Sequence, residues 1–209
     1  MRPTVTVADY DIGNIHSVVK ALRHVGADVT LTGDAAEAAR ATRLVVPGVG
    51  AFADAMGKLR ERGLDTVIVD HARRGDPLLG ICIGMQVLLT ESTEFGQHAG
   101  LDLIDGQVLP LEAEPGLKVP QIGWNAIHPA GGATWGHPML ADLPPEPMVY
   151  FVHSFTAVPT DETDRLADAD YGSQRVSAAI ARDNVVGLQF HPEKSGEVGL
   201  EMLRRFIAA

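Results

Sequence analysis

Pro77-Leu78-Leu79-Gly80-Ile81-Cys82-Ile83-Gly84-Met85-Gln86 reads as an apolar strand that breaks abruptly into a helix at a cysteine. The form is G-x-nucleophile-x-G. A strand-to-helix turn this sharp forces strained backbone dihedrals on its central residue. It also needs small flanking residues, because the chains pass too close for side chains. The turn lifts the Cys82 thiol clear of the backbone at the top of a sheet. It sets the sulfur at the N-terminus of the helix through Met85 and Gln86, where free N–H groups and the helix dipole favour thiolate. The Ile83 N–H can then point at the oxygen of a tetrahedral intermediate. A lone cysteine is otherwise most often a small buried hydrophobe. Here the strand–turn–helix context favours a nucleophile.

Upstream, the same alternation repeats. Thr4 to Ala8 is a β-branched run, Asp9 to Gly13 a loop, and Asn14 is placed to cap a helix from Ile15 to Val25 that Gly26 ends. Asp28 to Leu31 and Arg43 to Val46 are further strands, the latter ending at Pro47-Gly48. Helices follow over Ala51 to Arg62 and Asp65 to Arg74. Short apolar strands separated by helices imply an α/β fold, a mostly parallel central sheet flanked by helices. Its site lies at the carboxyl ends of the strands, which puts the loops at Asp9, Gly48 and Cys82 on one rim.

Downstream the pattern changes. Gly106 to Gln121, Met148 to Phe155, Val176 to Arg182 and Val185 to Phe190 read as strands with few helices between them, an antiparallel extension of the sheet. Pro129 to Pro147 is a long loop rich in Gly and Pro. Gly199 to Ala208 is a helix with a stripe of Leu200, Leu203 and Ile207.

The bulk numbers agree. The 209 residues suit one domain over 1–209, with 45% apolar and 21% charged residues. A net charge of -10 argues against a nucleic-acid surface. A single cysteine excludes an intrachain disulfide. Met1-Arg2-Pro3-Thr4-Val5 carries no apolar signal core and no apolar run is long enough to span a bilayer, so a cytoplasmic enzyme is expected.

A base for the thiol is found far along the chain. Val185 to Phe190 runs into His191-Pro192-Glu193. Alternate residues of a strand share a face, so His191 and Glu193 are expected to point the same way with Pro192 between them. His191 would take the proton of Cys82, and Glu193 would fix its tautomer and stabilise imidazolium. With eight histidines in the chain, His-x-Glu alone is weak; beside a nucleophile elbow it gains weight. A second rim loop, Val46-Pro47-Gly48-Val49-Gly50-Ala51, can present backbone N–H groups to an anion, and Gly48 and Gly50 tolerate positive φ. Val49 N–H is the candidate second oxyanion donor. The alternative is a plain strand-to-helix turn. A dinucleotide fingerprint fails, because Ala53 occupies the third glycine's place.

Gly80 to Gln86 together with Gln189-Phe190-His191-Pro192-Glu193 resembles the triad, or class I, glutamine amidotransferases. Asp9 to Asn14, Pro47 to Phe52, Gly123-Trp124-Asn125, Tyr150 to Phe155 and Lys194-Ser195 make the set similar to one family among them, the glutaminase subunits of imidazole glycerol phosphate synthase in histidine biosynthesis. The resemblance runs from Val7 to Phe206. It implies that Cys82 attacks the glutamine carboxamide, ammonia leaves and water hydrolyses a glutamyl thioester. It implies that Gln86 and Glu94 hold the backbone charges of glutamine, and that Ser154 and Phe155 offer main-chain contacts. Gly48, Val49, Gly50 and Ile83 would form the oxyanion hole. No cofactor and no metal is implied.

The partner so implied is a (β/α)8-barrel cyclase in a one-to-one heterodimer. Ammonia would pass to it directly, to make imidazole glycerol phosphate and aminoimidazole carboxamide ribotide. Asn14, Trp124, Tyr150 and Lys194 fall at that interface by the same resemblance. The Gly48–Gly50 loop further suggests that Val49 N–H points away until the partner binds its nucleotide, leaving the free subunit nearly inactive. Ile83 stands where Leu is common, Phe155 where Tyr is common, and Ile122 where Met is frequent before Gly123. None of these touches the triad. Two rival readings remain open on sequence. One is a glutaminase serving another acceptor, as in anthranilate or pyridoxal phosphate synthesis. The other is a silent binding module of the same fold.

Overall fold

The computed structural model describes residues 2–132 and 134–209. Met1 of the N-terminal stretch and Ala133 of the Pro129–Pro147 loop lie outside the described residues. The elements run β1 (Thr4–Ala8), α1 (Ile15–His24), β2 (Asp28–Thr32), α2 (Ala35–Ala38), β3 (Leu44–Gly48), α3 (Phe52–Glu61), α4 (Leu64–Arg73), β4 (Leu78–Cys82) and α5 (Ile83–Gln86). They continue through β5 (Leu89–Ser92), β6 (His98–Ala99), β7 (Ile104–Pro110), β8 (Gln121–Ala126), β9 (His128–Pro129), β10 (Met148–His153) and β11 (Phe155–Pro159). The last are β12 (Arg165–Tyr171), β13 (Gln174–Arg182), β14 (Val185–Leu188) and α6 (Gly196–Ala208).

The central sheet has eight strands in the order β2-β1-β3-β4-β14-β13-β12-β9. The first five are mutually parallel and the rest antiparallel, so the expected α/β sheet with an antiparallel extension is present. Its strands are apolar on both faces because both faces are covered. Alternate residues divide between two cores. Val5, Val7, Val45, Leu79 and Ile81 face one cluster, with Val18 and Leu22 of α1 and Met202 and Phe206 of α6. Leu44, Val46 and Leu78 face the other, with Met56 and Leu59 of α3 and Leu64 and Ile68 of α4. In α1 the buried Ile15, Val18, Val19 and Leu22 recur at i, i+3, i+4 and i+7, a single stripe that packs on the sheet. Leu22 is fully buried, so Leu22→Ala is expected to cost about 2–5 kcal/mol.

Three sequence expectations need correction here. Asn14 precedes α1 but makes no side-chain cap hydrogen bond. Gly106 to Gln121 is not one strand: β7 ends at Pro110 and β8 begins at Gln121. Nor do these strands extend the main sheet. β7 pairs with β11 and β5 in a four-stranded sheet, and β8 pairs with β10 in a separate two-stranded ribbon. Apolar alternation locates a strand but carries no information about which edge it joins. β12, the outward neighbour of β13, has no counterpart among the expected strands. Its Arg165 and Asp168 form a buried ion pair that masks the apolar pattern.

Candidate active site

The carboxyl ends of β3, β4 and β14 meet at one rim. Gly48 lies opposite Cys82 in the β3–β4 ladder, and Leu188 lies opposite Ile81 in the β4–β14 ladder. The chain leaving β14 therefore passes beside the elbow. Cys82 adopts φ 56° and ψ −112°, the strained conformation that the turn demands. The two glycines serve close approach. A Cβ on Gly84 would stand 1.7 Å from the Val46 carbonyl oxygen, and one on Gly80 would stand 2.4 Å from the Gly84 oxygen.

The sulfur is not raised into solvent. Cys82 is 3% exposed and sits within a cleft of about 430 Å³, which it lines together with Val49, Gly50, Ile83, Gln86, Glu94, Pro120 and the run Val152 to Phe155. That size suits a small molecule. The helix behind the sulfur, α5, is a single turn, so the long-helix dipole expected from sequence shrinks to the local N–H groups of one turn.

His191 Nδ1 lies 2.8 Å from Glu193 Oε1, with the two side chains 3% and 1% exposed. The contact is as expected, but its local cause is different. The strand ends at Leu188, and residues 192–194 form a 3-10 turn that folds Glu193 back under the ring. Nδ1–H donates to the carboxylate, so Nε2 is the nitrogen left to exchange a proton with Cys82. Among the described residues no other atom hydrogen-bonds Nε2. Burial, the largest influence on this imidazole, opposes its charge. Cys82 and Glu193 outweigh it and raise the His191 pKa from 6.5 to about 9. The residue is held from behind: its backbone N–H donates to the Tyr150 carbonyl at 2.9 Å, and Ser195 Oγ donates to its carbonyl at 2.6 Å.

Gln86 and Glu94 both line the cleft, and both are buried. Gln86 Nε2 donates to the Phe155 carbonyl at 3.1 Å and to Gln189 Oε1 at 2.9 Å. Glu94 is 7% exposed. Ser154 and Phe155 line the cleft, but their carbonyls are already engaged, by Leu111 N–H and by Gln86 with His153. Their N–H groups are the main-chain groups left without a loop or turn partner among the described residues. Of the two strap glycines, Gly50 has φ 113° and Gly48 has no positive φ.

Two cleft residues escaped the sequence reading. Gln189 Nε2 stands 3.9 Å from Cys82 Sγ. His153 Nδ1 donates to the Phe155 carbonyl at 2.8 Å, and its Nε2 lies 2.9 Å from the Gln121 carboxamide. Burial first, and His191 nearby, push the His153 pKa down to about 4, so the ring is neutral. Its one N–H is committed to Phe155, so the carboxamide must present its NH2 to Nε2. Both residues stand inside quoted motifs, and nothing in their spacing distinguishes them from ordinary strand residues.

The remaining candidates do not line the cleft. Trp124 and Tyr150 are cross-strand partners on the β8–β10 ribbon, with rings 6.2 Å apart, edge to face. Lys194 Nζ stands 5.8 Å from the centre of the Tyr150 ring. Trp124 is 53% exposed, beside exposed Ile122 and Met148 on the same ribbon. Asn14 is exposed at the start of α1. Among the described residues no group of three His, Cys, Asp or Glu side chains could hold a metal ion, and no helix is long and apolar enough to cross a membrane.

A strained cysteine at a strand-to-helix turn and a carboxylate-paired histidine meet at one rim, and comparison decides the family. The model for class-I glutamine amidotransferases matches residues 6–209. The chain belongs to the class-I glutamine amidotransferase family. As such it is an enzyme with glutaminase activity. It is 47% identical over 209 residues to imidazole glycerol phosphate synthase subunit HisH 1 of Legionella pneumophila strain Paris, covering 98% of each chain. It is 47% identical over 208 residues to the HisH subunit of Thermosynechococcus vestitus, covering 99% of this chain and 97% of that one. Among solved structures, PurLQS from Thermotoga maritima superposes with a TM-score of 0.73 at 19% identity, over 100% of this chain and 99% of that chain. A structure described as a glutamine amidotransferase superposes with a TM-score of 0.74 at 17% identity, over 98% and 99%. These two likenesses concern the fold alone. It is the amidotransferase fold expected from the elbow.

Proposed function

We propose that this class-I amidotransferase is the glutaminase subunit of imidazole glycerol phosphate synthase, with Cys82 as nucleophile, His191 as acid and base, and Glu193 as its orienter. The observation that carries the reading is the buried His191–Glu193 pair at 2.8 Å, set beside a strained cysteine that lines a closed-in cleft. Full-length kinship to HisH subunits supports the choice of acceptor over anthranilate or pyridoxal phosphate synthesis.

The chemistry follows from the protons. Cys82 Sγ gives its proton to His191 Nε2 and attacks the amide carbon of glutamine. The oxygen that becomes negative is met by the N–H groups of Ile83 and Val49, the latter carried by the Gly48–Gly50 strap. The tetrahedral adduct collapses, the C–N bond breaks, and the Nε2 proton goes to the departing nitrogen as ammonia. Water then attacks the thioester, His191 takes its proton and returns it to sulfur, and glutamate leaves. Gln86 and Glu94 would hold the charged end of glutamine, with the Ser154 and Phe155 N–H groups beside them. The side chains and one water supply every proton and electron pair, so no metal or cofactor is called for.

Ammonia released into water at neutral pH is protonated and loses its nucleophilicity, so a closed route to the acceptor has value. The patch of exposed Trp124 and Lys194 with half-buried Tyr150, together with Asn14, is the proposed docking face for a barrel cyclase in a one-to-one complex. Aromatic anchors of this kind dominate interface energetics. The residues 1–209 would act as one domain, in the cytoplasm. In the free chain Val49 N–H would point away from the cleft until the partner holds its nucleotide. The test is glutamate release with and without the cyclase and its nucleotide. Slow release alone and fast release with both is expected. Full turnover by the isolated chain would contradict the coupling, and release by Cys82→Ala would contradict the chemistry.

A further inference from the structure

The strap that carries Val49 is only four residues long, Gly48 to Ala51, between Pro47 and the first residue of α3. Side chains hold it at both ends. Upstream, the Tyr10 hydroxyl donates to the Pro47 carbonyl at 2.6 Å, and Tyr10 is fully buried. A Cβ on Gly48 would stand 2.5 Å from that hydroxyl and 3.3 Å from Ile83 Cβ. Glycine at 48 therefore makes room for the hydroxyl rather than for an unusual φ. Burial, helped by Cys82, pushes the Tyr10 pKa up, so the phenol stays a donor. Downstream, Glu94 Oε2 accepts the N–H of Phe52 at 2.5 Å. Ala51 gives α3 no side-chain cap, so Glu94 supplies it from another loop. Between these points no side chain hydrogen-bonds the strap among the described residues, although Gly13 packs close to Gly48 and Val49. Val49 is 38% exposed, and a Cβ on Gly50 would meet nothing within 4 Å.

We propose that Tyr10 and Glu94 are positioning residues that clamp the oxyanion strap at its two ends, and that Glu94 also ties the capture of glutamine to the strap. The proposal rests on the reading of Val49 as an oxyanion donor and of Glu94 as a ligand for the substrate. One oxygen of Glu94 is committed to Phe52, which leaves the other for an ammonium group in the cleft. An ammonium drawn to this carboxylate therefore bears on the same group that fixes the start of α3. A donor acts only when it is held close to its working position. With both ends fixed, the strap's motion reduces to rotation of the peptides between Gly48 and Ala51.

The test separates hydrogen bond from charge. Tyr10→Phe keeps the ring volume and removes only the hydroxyl. Glu94→Gln keeps an oxygen for Phe52 N–H and loses the charge, whereas Glu94→Ala loses both. Initial rates of glutamate release are measured on the complex with the cyclase and its nucleotide, and thermal melting confirms folding. Tyr10→Phe should lower kcat by about tenfold with KM within about twofold, the mark of a contact needed in the transition state. Glu94→Gln should raise KM by about tenfold with kcat within about threefold, and Glu94→Ala should lose about another tenfold in kcat. Parental kcat in Tyr10→Phe, or equal kcat in the two Glu94 variants, overturns the clamp. If Tyr10→Phe does not fold, the Glu94 pair carries the test. Failure of the clamp is distinct from failure of the active-site reading, because only the latter would leave Cys82→Ala active.

Discussion

Replacing Glu193 by glutamine tests the electrostatics of the triad without emptying it. The substituted carboxamide keeps an oxygen for His191 Nδ1–H, so the ring orientation and tautomer survive, and only the negative charge is lost. Against the opposition of burial, Cys82 and Glu193 together raise His191 from 6.5 to about 9. The rise is worth on the order of 3 kcal/mol in favour of imidazolium. An adjacent opposite charge accounts for shifts of about 1–3 units, so the variant's ring should titrate nearer to about 7. Imidazolium is needed to protonate the departing nitrogen, so its loss sets the alkaline limb of kcat/KM. The limb belongs to the Cys82–His191 pair as a whole. Initial rates of glutamate release between about pH 6 and 10 should show that limb near 9 in the parent and displaced toward about 7 in Glu193→Gln. Stability moves in the same sense. A raised folded pKa contributes stability that is complete below 6.5 and lost as pH rises through about 9, so the parent should weaken over that window by up to about 3 kcal/mol and the variant by less. An alkaline limb that stays at about 9 in Glu193→Gln would refute the reasoning, because Glu193 would then add nothing to the share of Cys82 in charging the ring.

Cys82→Ala should lower glutamate release at least about 1,000-fold, while chemical denaturation shows a stability change within about 1 kcal/mol. Gly84→Ala should lower stability by about 3 kcal/mol or prevent folding, since its Cβ would meet the Val46 carbonyl at 1.7 Å; a parental melting temperature would disprove the close approach. Trp124→Ala should weaken binding of the cyclase by about 2 kcal/mol, about 30-fold in Kd by calorimetry, and leave the fold unchanged. His153 is held neutral down to about 4, so its contribution is complete above 6.5, falls as pH drops below that value and levels off near 4. His153→Gln should flatten the acid side of the stability profile by up to about 3 kcal/mol.

The half of the fold built on local pattern was legible in the sequence. β1, α1, β2, β3, α3, α4 and β4 stand within a residue or two of their expected bounds, because parallel strands buried on both faces are continuous apolar runs. The elbow was legible because both its glycines lie in one β-turn-α unit, although the carbonyl that dictates Gly84 belongs to Val46 of β3. Sheet membership was not. β7, β8, β10 and β11 alternate like any half-buried strand, yet they leave the central sheet to form two smaller ones, and that choice is made by tertiary partners. The His191–Glu193 contact follows the expected pairing but not the expected local cause. The strand ends at Leu188, short of Pro192, and the turn that Pro192 opens, rather than strand alternation, brings the carboxylate to the ring. Asn14 has the residue type of a cap, and its ψ of 59° accompanies an absent cap bond. Tyr10, Gln121, His153 and Gln189 act through hydrogen bonds to residues at least 32 positions away, which no local window can reveal.

The triad reading depends on a covalent bond between Cys82 and the substrate carbon. A glutamine-like diazo-ketone, added to the complex with the cyclase and its nucleotide and followed by peptide mass spectrometry, tests that bond directly. One adduct on Cys82, reduced or absent in His191→Ala, is the expected result. Steady glutamate release with no adduct on Cys82, or an adduct on another side chain that abolishes activity, would contradict it.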